Sequence, residues 1–158
     1  MSVELVRIDD RLVHGQVVEA WIPHLKADAV VVASEAAAAD ATQQTLMRMA
    51  LPDYVELSVL APAEAVKLLQ SAALAARRVL VLVPSPHEAR QLAEAGLPMP
   101  SLNVGGLHYS AGRIQLGRVI YLSDDDRRDL RELAQRGVVL EGRAVPSDKR
   151  LDLTSLIA

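Results

Sequence analysis

His14 is the residue in this chain best placed to act as a nucleophile. It lies between a short apolar segment and a helical pattern, in Val6-Arg-Ile-Asp-Asp-Arg-Leu-Val-His-Gly-Gln-Val17. A neutral imidazole nitrogen is a good nucleophile toward phosphorus. The phosphohistidine that results gains negative charge, which the free N–H groups and positive dipole end of a helix N-terminus stabilise. The position of His14 therefore suits phosphoryl transfer.

Neighbouring residues supply the other groups that this chemistry needs. Arg11 could pair with phosphate in bidentate fashion, and it faces the same way as His14 if the residues between them are helical. Gly15 lets a phosphate approach the backbone. Asp9 or Asp10 could accept an N–H from the ring and fix its tautomer, and Asp10 is the catalytic candidate of the two. In the plainer interpretation His14 is a loop residue, the aspartates cap the helix and Arg11 is a surface charge.

The remaining candidate residues have weaker signals. His24 beside Pro23 is typical of a solvated helix end, whereas His87 and His108 each follow a predicted strand and could approach a phosphate. The four histidines show no metal-ligand spacing, so we expect no metal site. The acidic run 124–126 is best explained as the start of a helix.

The composition favours one domain over residues 1–158 and excludes several functions. The net charge of -3 gives no basic surface for nucleic acid. The absence of cysteine excludes disulfides and thiol nucleophiles, and it fits a cytoplasmic protein. We find no signal peptide in the first residues, and no apolar run approaches the ~20 residues of a membrane span.

Strands and helices alternate along the chain, which predicts an α/β fold with a mostly parallel open sheet and helices on both faces. The predicted strands are Val3 to Ile8, Ala29 to Ala33, Tyr54 to Leu60, Val79 to Val83, Ser101 to Val104, Val119 to Leu122 and Val138 to Glu141. The predicted helices are Gly15 to His24 with Pro23 at its end, one from Asp40 to just before Pro52, Pro62 to Leu69, one from the Ser85 capping box to Gly96, one from the Ser123 capping box to about Gln135, and a short turn in the tail from Pro146 to Ala158.

Ligands of such sheets bind beyond the carboxyl ends of the strands, where the strand order reverses. The turns expected at that edge are Asp9 to Gly15, Ser34-Glu35, Pro84-Ser85 and Gly105-Gly106. His14 lies in the first of them, and Ser85 in the third is a further candidate for phosphate binding. The Gly105-Gly106 pair lacks the spacing and the lysine of a nucleotide-binding loop.

The segment Arg7 to Val17 resembles the active-site signature of the IIB subunits of the mannose/fructose/sorbose class of the bacterial phosphoenolpyruvate-dependent sugar phosphotransferase system. The resemblance extends over nearly the whole chain. Three further segments resemble conserved parts of that family: Thr45-Leu-Met-Arg-Met-Ala50, Asn103-Val-Gly-Gly-Leu-His108 and Glu141-Gly-Arg-Ala-Val-Pro-Ser-Asp148.

The resemblance implies a protein-N(pi)-phosphohistidine–sugar phosphotransferase in which His14 is phosphorylated and Arg11 assists. It also implies that Gly15 and Gln16 complete the motif and that no metal or organic cofactor takes part. A partner IIA protein would donate the phosphoryl group from its own histidine. His14 would pass it to a sugar on the membrane IIC/IID transporter, so that the cytoplasmic protein visits the inner face of the membrane. The identity of the sugar and any homo-oligomer remain open.

Two alternatives stay open beside this phosphocarrier. Ala33-Ser34 stands where many relatives carry Asn-Asp, which motivates a regulatory phospho-acceptor that transports no sugar. A histidine phosphatase also uses Arg, His and Gly near a first strand, but there Arg directly precedes His, whereas Leu12 and Val13 intervene here. The absence of cysteine argues against the glucose-type IIB subunits, which use a phosphocysteine.

Overall fold

Nine strands and seven α-helices make up the described part of the computed structural model, which covers residues 2–108, 114–117 and 120–157. Seven strands form one sheet in the order β3-β2-β4-β1-β5-β8-β9. All neighbours in this sheet pair in parallel except β8 and β9, which are antiparallel. A separate antiparallel ladder joins β6 and β7. The strands are β1 (Ser2–Asp9), β2 (Ala29–Ala33), β3 (Glu56–Leu60), β4 (Arg78–Val83), β5 (Ser101–Gly106), β6 (Ile114–Gly117), β7 (Ile120–Leu122), β8 (Val139–Gly142) and β9 (Leu151–Asp152).

The seven described α-helices are four to twelve residues long, and each begins with a capping side chain or a proline in its first turn. The side chains of Ser34, Asp40, Ser85, Ser123 and Asp152 each accept a hydrogen bond from a backbone N–H of the helix that follows. The helices are α1 (Ile22–Leu25), α2 (Glu35–Ala38), α3 (Ala41–Ala50), α4 (Pro62–Leu69), α5 (Pro86–Glu94), α6 (Asp124–Gln135) and α7 (Leu153–Leu156). A 3-10 turn spans Ala72–Leu74.

The sheet separates two apolar cores because its strand residues alternate between the two faces. On one face α4, α5, α6 and α7 pack against residues such as Ile8, Val81 and Val104. On the other face the residues after β1, together with α2 and α3, pack against Val30, Val32 and Leu82. β2 is buried along its whole length, as its unbroken apolar run predicts. The predicted parallel α/β domain with helices on both faces is confirmed.

The helix after β1 differs from the predicted one because it contains a π-helical turn and continues past Pro23. It is helical from Gly15, adopts a π-helix over Val17–Trp21 and continues as α1 to Leu25. Pro23 therefore lies inside the helix instead of ending it. A proline ring clashes with the carbonyl four residues earlier in an α-helix, and the wider π turn directly before Pro23 relieves that crowding. The helix ends at Lys26, which is left-handed at φ 53°.

Several short elements were not predicted. α2 precedes the predicted helix that begins at Asp40, and β6 and β9 are too short to give a periodic pattern. β3 begins two residues later than predicted, and β5 extends two residues further, to Gly106. β7 corresponds to the predicted strand Val119 to Leu122, of which Val119 lies outside the described residues.

The carboxyl end of β1 lies at a reversal of the strand order. The chain leaves β1 over one face of the sheet, whereas the helices that follow its neighbours β4 and β5 in the chain cover the other face. Such a point opens a crevice at the ends of the strands. Among the described residues no helix is long and apolar enough to cross a membrane.

Candidate functional site

The loop from Asp9 to His14 turns back sharply over the end of β1. The backbone N–H of Leu12 donates to the carbonyl of Asp9 (3.0 Å), and that of Arg11 donates to the Asp9 carboxylate (3.1 Å). Leu12 adopts a left-handed conformation at φ 59°, which costs a non-glycine residue about 1–2 kcal/mol. Its side chain is only 2% exposed, so core packing offsets that cost. The segment between Arg11 and His14 is therefore not helical.

The His14 ring contacts the Asp9 carboxylate, and its Nε2 is 2.8 Å from Asp9 Oδ2. Burial raises the pKa of Asp9, but the hydrogen bond from His14 and the charge of Arg7 outweigh it, and the net pKa lies below its ordinary value. Asp9 is therefore ionised near neutral pH and can only accept hydrogen bonds. In the neutral ring the proton consequently sits on Nε2, which leaves the Nδ1 lone pair free to attack. Of the two aspartates that could fix the tautomer, the structure places Asp9 in that position.

The buried Arg7 side chain forms an ion pair with Asp9. Its side chain is 1% exposed, and its Nη2 donates to Asp9 Oδ2 (3.1 Å) and to the Ala144 carbonyl (3.0 Å). Its Nη1 donates to Asn103 Oδ1 and to the Arg143 carbonyl (2.9 Å). Burial lowers the pKa of Arg7, and the nearby Asp9 charge opposes that effect. The guanidinium also lies 4.9 Å from the centre of the Trp21 ring, a cation–π distance.

Gly105 allows this packing. A Cβ at that position would lie 2.1 Å from Arg7 Cζ, so only glycine accommodates the guanidinium where it stands. Gly15 differs, because a Cβ there would have no atom within 4 Å. The space beside Gly15, next to His14, is open to an incoming group.

Arg11 and Gln16 stand on the solvent side of the histidine. Both are exposed, and Arg11 Nη2 lies 3.4 Å from Gln16 Oε1. The His14 side chain is 13% exposed. The site thus combines a held imidazole, an exposed guanidinium and an open backbone at the start of a helix.

Asp10 and His108 pair with each other beside this site. The Asp10 carboxylate accepts the His108 backbone N–H (2.8 Å) and contacts its ring at Nδ1. Asp10, which we selected as a catalytic candidate, therefore joins the ends of β1 and β5, while its neighbour Asp9 bonds His14. The two adjacent aspartates point to different partners, and local sequence alone did not separate them.

Polar residues in other predicted turns lie at the starts of helices. Ser85 caps α5 by accepting the N–H of His87 (3.2 Å) and bonds the Glu88 carboxylate through its hydroxyl. The reciprocal capping box predicted there is thus replaced by a bond between the two side chains. The Ser34 hydroxyl, at 3% exposure, caps α2. Asp124, Asp125 and Asp126 form the first turn of α6, and Ser123 and Asp126 make the predicted capping box.

Two of the remaining histidines lie on the surface, away from Asp9. His24 and His87 are exposed, and His24 packs edge-on against Trp21 at 6.2 Å between ring centres. No group of metal-ligating side chains forms in the part of the chain that the structure describes.

Arg7, which bonds Asp9, and the two buried residues linked to it were not predicted as site residues. Arg7, Asn103 and Glu141 pair in register across β1, β5 and β8. A polar residue inside an apolar strand was the available signal, since burying such a group requires a partner. These three residues are far apart in the sequence, so predicting that they are neighbours would have required the order of the strands in the sheet.

A family model and individual relatives both link this chain to one group of known proteins. Residues 3–158 match the family model described as "PTS system sorbose subfamily IIB component". The chain is 32% identical over 158 residues to the PTS system mannose-specific EIIAB component of Escherichia coli, covering 100% of this chain but 49% of that protein. It is 31% identical over 157 residues to the PTS system sorbose-specific EIIB component of Lacticaseibacillus casei, covering 99% of this chain and 96% of that protein.

The fold matches solved structures as well. The crystal structure of the IIBSor domain of the sorbose permease from Klebsiella pneumoniae superposes with a TM-score of 0.93 at 30% identity, covering 99% of this chain and 96% of that one. The chain spans about half the length of the mannose-specific relatives that it matches.

Proposed function

Because the chain belongs to the sorbose subfamily of the IIB components of the sugar phosphotransferase system, we propose that it is a phosphocarrier whose acceptor atom is Nδ1 of His14. The observation that supports this most directly is the 2.8 Å contact between His14 Nε2 and Asp9 Oδ2. It occupies one ring nitrogen and leaves the other as the nucleophile.

In the first step His14 takes a phosphoryl group from a phosphohistidine of a IIA protein. The Nδ1 lone pair attacks phosphorus, the bond from phosphorus to the donor nitrogen breaks, and the donor imidazole leaves with the electron pair. No proton leaves His14, since Nε2 keeps its hydrogen. The ring gains positive character as the new bond forms, and the Asp9 carboxylate stabilises that charge.

Arg11 and the residues after His14 receive the phosphoryl oxygens. Arg11 offers a planar guanidinium from the solvent side, and the first N–H groups of the helix from Gly15 have no partner within that helix. The open space at Gly15 admits the group without a clash. Phosphoryl transfer depends mainly on such positioning and charge stabilisation.

In the second step a sugar hydroxyl attacks the phosphorus of phospho-His14. The bond to Nδ1 breaks, the imidazole leaves with the electron pair, and the hydroxyl proton passes to a base at the sugar site. The proposed acceptor is a sugar held by a membrane IIC/IID transporter. This assignment places the protein in the cytoplasm, with transient contact at the inner face of the membrane.

A phosphotransfer assay tests the first step. The protein is mixed with phosphoenolpyruvate, the two general phosphotransferase proteins and a mannose-class IIA, and phosphate is located by mass spectrometry at alkaline pH, where phosphohistidine is stable. We expect phosphate on His14 in the wild type and in His87→Ala, a matched exposed-histidine control, and none in His14→Ala. Labelling of a folded His14→Ala variant, or an unlabelled wild type beside a charged IIA, would contradict the proposal.

The second step separates transport from a purely regulatory phospho-acceptor. Phosphorylated protein is added to membranes that contain a mannose-class IIC/IID pair, and sugar phosphate is measured. Sugar-dependent loss of phosphate from His14 supports transport. Phosphate that forms on His14 but stays there with every sugar and IIC/IID pair supplied would favour the regulatory alternative.

A further inference from the structure

Glu141 lies at the far end of a buried row of polar side chains that leads to the phosphorylation site. It is on β8 and is 8% exposed. In the sheet it pairs with Asn103 on β5, which in turn pairs with Arg7 on β1. The three side chains therefore lie side by side on one face of the sheet, across three adjacent strands.

These side chains are joined by directional hydrogen bonds. Glu141 Oε1 accepts from Asn103 Nδ2 at 2.9 Å. An amide that turns its nitrogen toward Glu141 presents its oxygen to the opposite side, where Asn103 Oδ1 accepts from Arg7 Nη1. The other terminal nitrogen, Arg7 Nη2, donates to Asp9 Oδ2, the same oxygen that accepts from His14 Nε2.

Arg143 holds Glu141 in this orientation. Its Nε and Nη2 donate to Glu141 Oε2 and Oε1, each at 3.0 Å. Its guanidinium lies 5.1 Å from the centre of the Trp21 ring. Arg143 also offers its backbone carbonyl to Arg7 at 2.9 Å. The end of β8 therefore contacts Arg7 both through a side-chain relay and through the main chain.

We propose that Glu141 is a positioning residue for phosphoryl transfer at His14, because it fixes the orientation of the Asn103 amide and, through Arg7, the carboxylate that selects the ring tautomer. This inference rests on the proposed phosphocarrier function. Without the Glu141 carboxylate the Asn103 amide is free to turn over, which would point an N–H at Arg7. Two donors would then face each other, and Arg7 would no longer hold Asp9 in place.

The first test reads the tautomer directly and needs no partner protein. Nitrogen-15 NMR of the His14 ring distinguishes the two neutral tautomers. In the wild type we expect the neutral ring to carry its proton on Nε2. In Glu141→Ala we expect a mixture of the two tautomers, whereas the control Glu56→Ala, at an exposed position of the edge strand β3, should match the wild type. A folded Glu141→Ala protein with the wild-type tautomer would overturn the proposal.

The second test is a double-mutant cycle on the rate of His14 phosphorylation. We expect Glu141→Ala to lower the rate of His14 phosphorylation about tenfold, the lower end of what loss of an outer hydrogen-bond partner costs at metal-binding histidines. In an Asp9→Asn background Glu141→Ala should lower the rate of phosphorylation less than about twofold, because the hydrogen bonds from Glu141 act on the ring through Asp9. Equal losses in both backgrounds would mean that Glu141 acts by another route, and the proposal would fail.

Two precautions keep the outcome clear. If Glu141→Ala does not fold, Asn103→Ala interrupts the same relay on a different strand and carries the same expectation for the tautomer and for the rate. If the wild type takes no phosphate from a charged IIA, the phosphocarrier function fails. The tautomer measurement still decides whether Glu141 positions the ring.

Discussion

At the scale of single residues, the site depends on which of two adjacent aspartates contacts the histidine. Asp9 is fully buried and bonds His14, whereas Asp10 is partly exposed and bonds His108. The sequence predicted that one of them would fix the ring, but successive strand residues point to opposite sides, and the sharp turn at Leu12 decides which one His14 meets. A sequence does not reveal a left-handed leucine.

The Asp9→Asn variant should separate charge from hydrogen bonding at the ring. An amide oxygen can still accept from Nε2, but it cannot stabilise the positive charge that develops on the imidazole. We expect the rate of His14 phosphorylation to fall by about 100-fold or more, measured by rapid quench with a charged IIA. The control is Asp53→Asn, an exposed aspartate in the loop before β3. A rate within about twofold of the wild type would remove Asp9 from the mechanism.

Arg11 should affect the reaction without affecting the fold. It is exposed, and its side-chain contact is a 3.4 Å hydrogen bond to exposed Gln16, so the free energy of unfolding of Arg11→Ala should stay within about 0.5 kcal/mol of the wild type. We expect phosphorylation to slow about 10- to 100-fold, with partial recovery in Arg11→Lys, which restores the charge but not the planar fork. Arg136→Ala, at the exposed end of α6, is the matched control. An unchanged rate in Arg11→Ala would contradict the assigned role.

At the scale of the elements, β5 is shaped to let β1 bury a charged side chain. Gly105 and Gly106 end β5 directly beside Arg7 and Asp9. The sequence analysis placed this pair of glycines in a turn at the carboxyl edge of the sheet, where ligands bind. The structure shows that a guanidinium from the neighbouring strand occupies that position. The requirement for glycine at position 105 of β5 thus comes from a side chain on β1, and the sequence around Gly105 does not show it.

The two glycines at positions 105 and 15 give a matched pair of substitutions. In Gly105→Ala the new Cβ would collide with Arg7, which four hydrogen bonds hold in place. We expect a loss of about 3–5 kcal/mol in the free energy of unfolding, typical of a broken buried ion pair. Gly15→Ala meets no atom within 4 Å, so its stability should change by less than about 1 kcal/mol. Urea unfolding of both variants checks this, and equal stabilities would show that Arg7 moves aside at little cost.

At the scale of the whole molecule, the long buried strands and the main helices could be predicted, while the irregular parts could not. β2 and most of β4 are apolar runs rich in valine, which is typical of a parallel strand covered on both faces, and α4 begins at Pro62 as its sequence indicated. The π turn, β6 and β9 leave no periodic pattern, because each is short or is imposed by its neighbours. The hydrogen-bond partners of Arg7, which holds Asp9, come from β1, β5 and the segment after β8, so predicting them required the strand order.

The buried Asp9 should make the stability of the whole domain sensitive to acid. In the unfolded chain an aspartate has a pKa of about 3.9, and the pKa of Asp9 in the folded protein lies below that value. The unfolded state therefore takes up the proton first, and stability falls as the pH drops from about 4 to lower values, while it is fully present above that range. Urea unfolding between about pH 6 and pH 3 should show a steeper loss for the wild type than for Asp9→Asn. Parallel curves would show that Asp9 makes no such contribution.

The place of β1 in the sheet also governs when the site can exist during synthesis. β1 leaves the ribosome before every strand that it pairs with, yet it lies between β4 and β5, and its Arg7 aligns with Asn103 and bonds the carbonyls of Arg143 and Ala144. A nascent chain therefore displays His14 long before it can hold the imidazole in a defined orientation. Translation that stops ahead of residue 143 leaves a polypeptide that contains His14 but lacks the backbone carbonyls that bond Arg7. The proposed phosphorylation site is consequently complete only after β8 and the residues that follow it have been made, although His14 itself is made before β4 and β5.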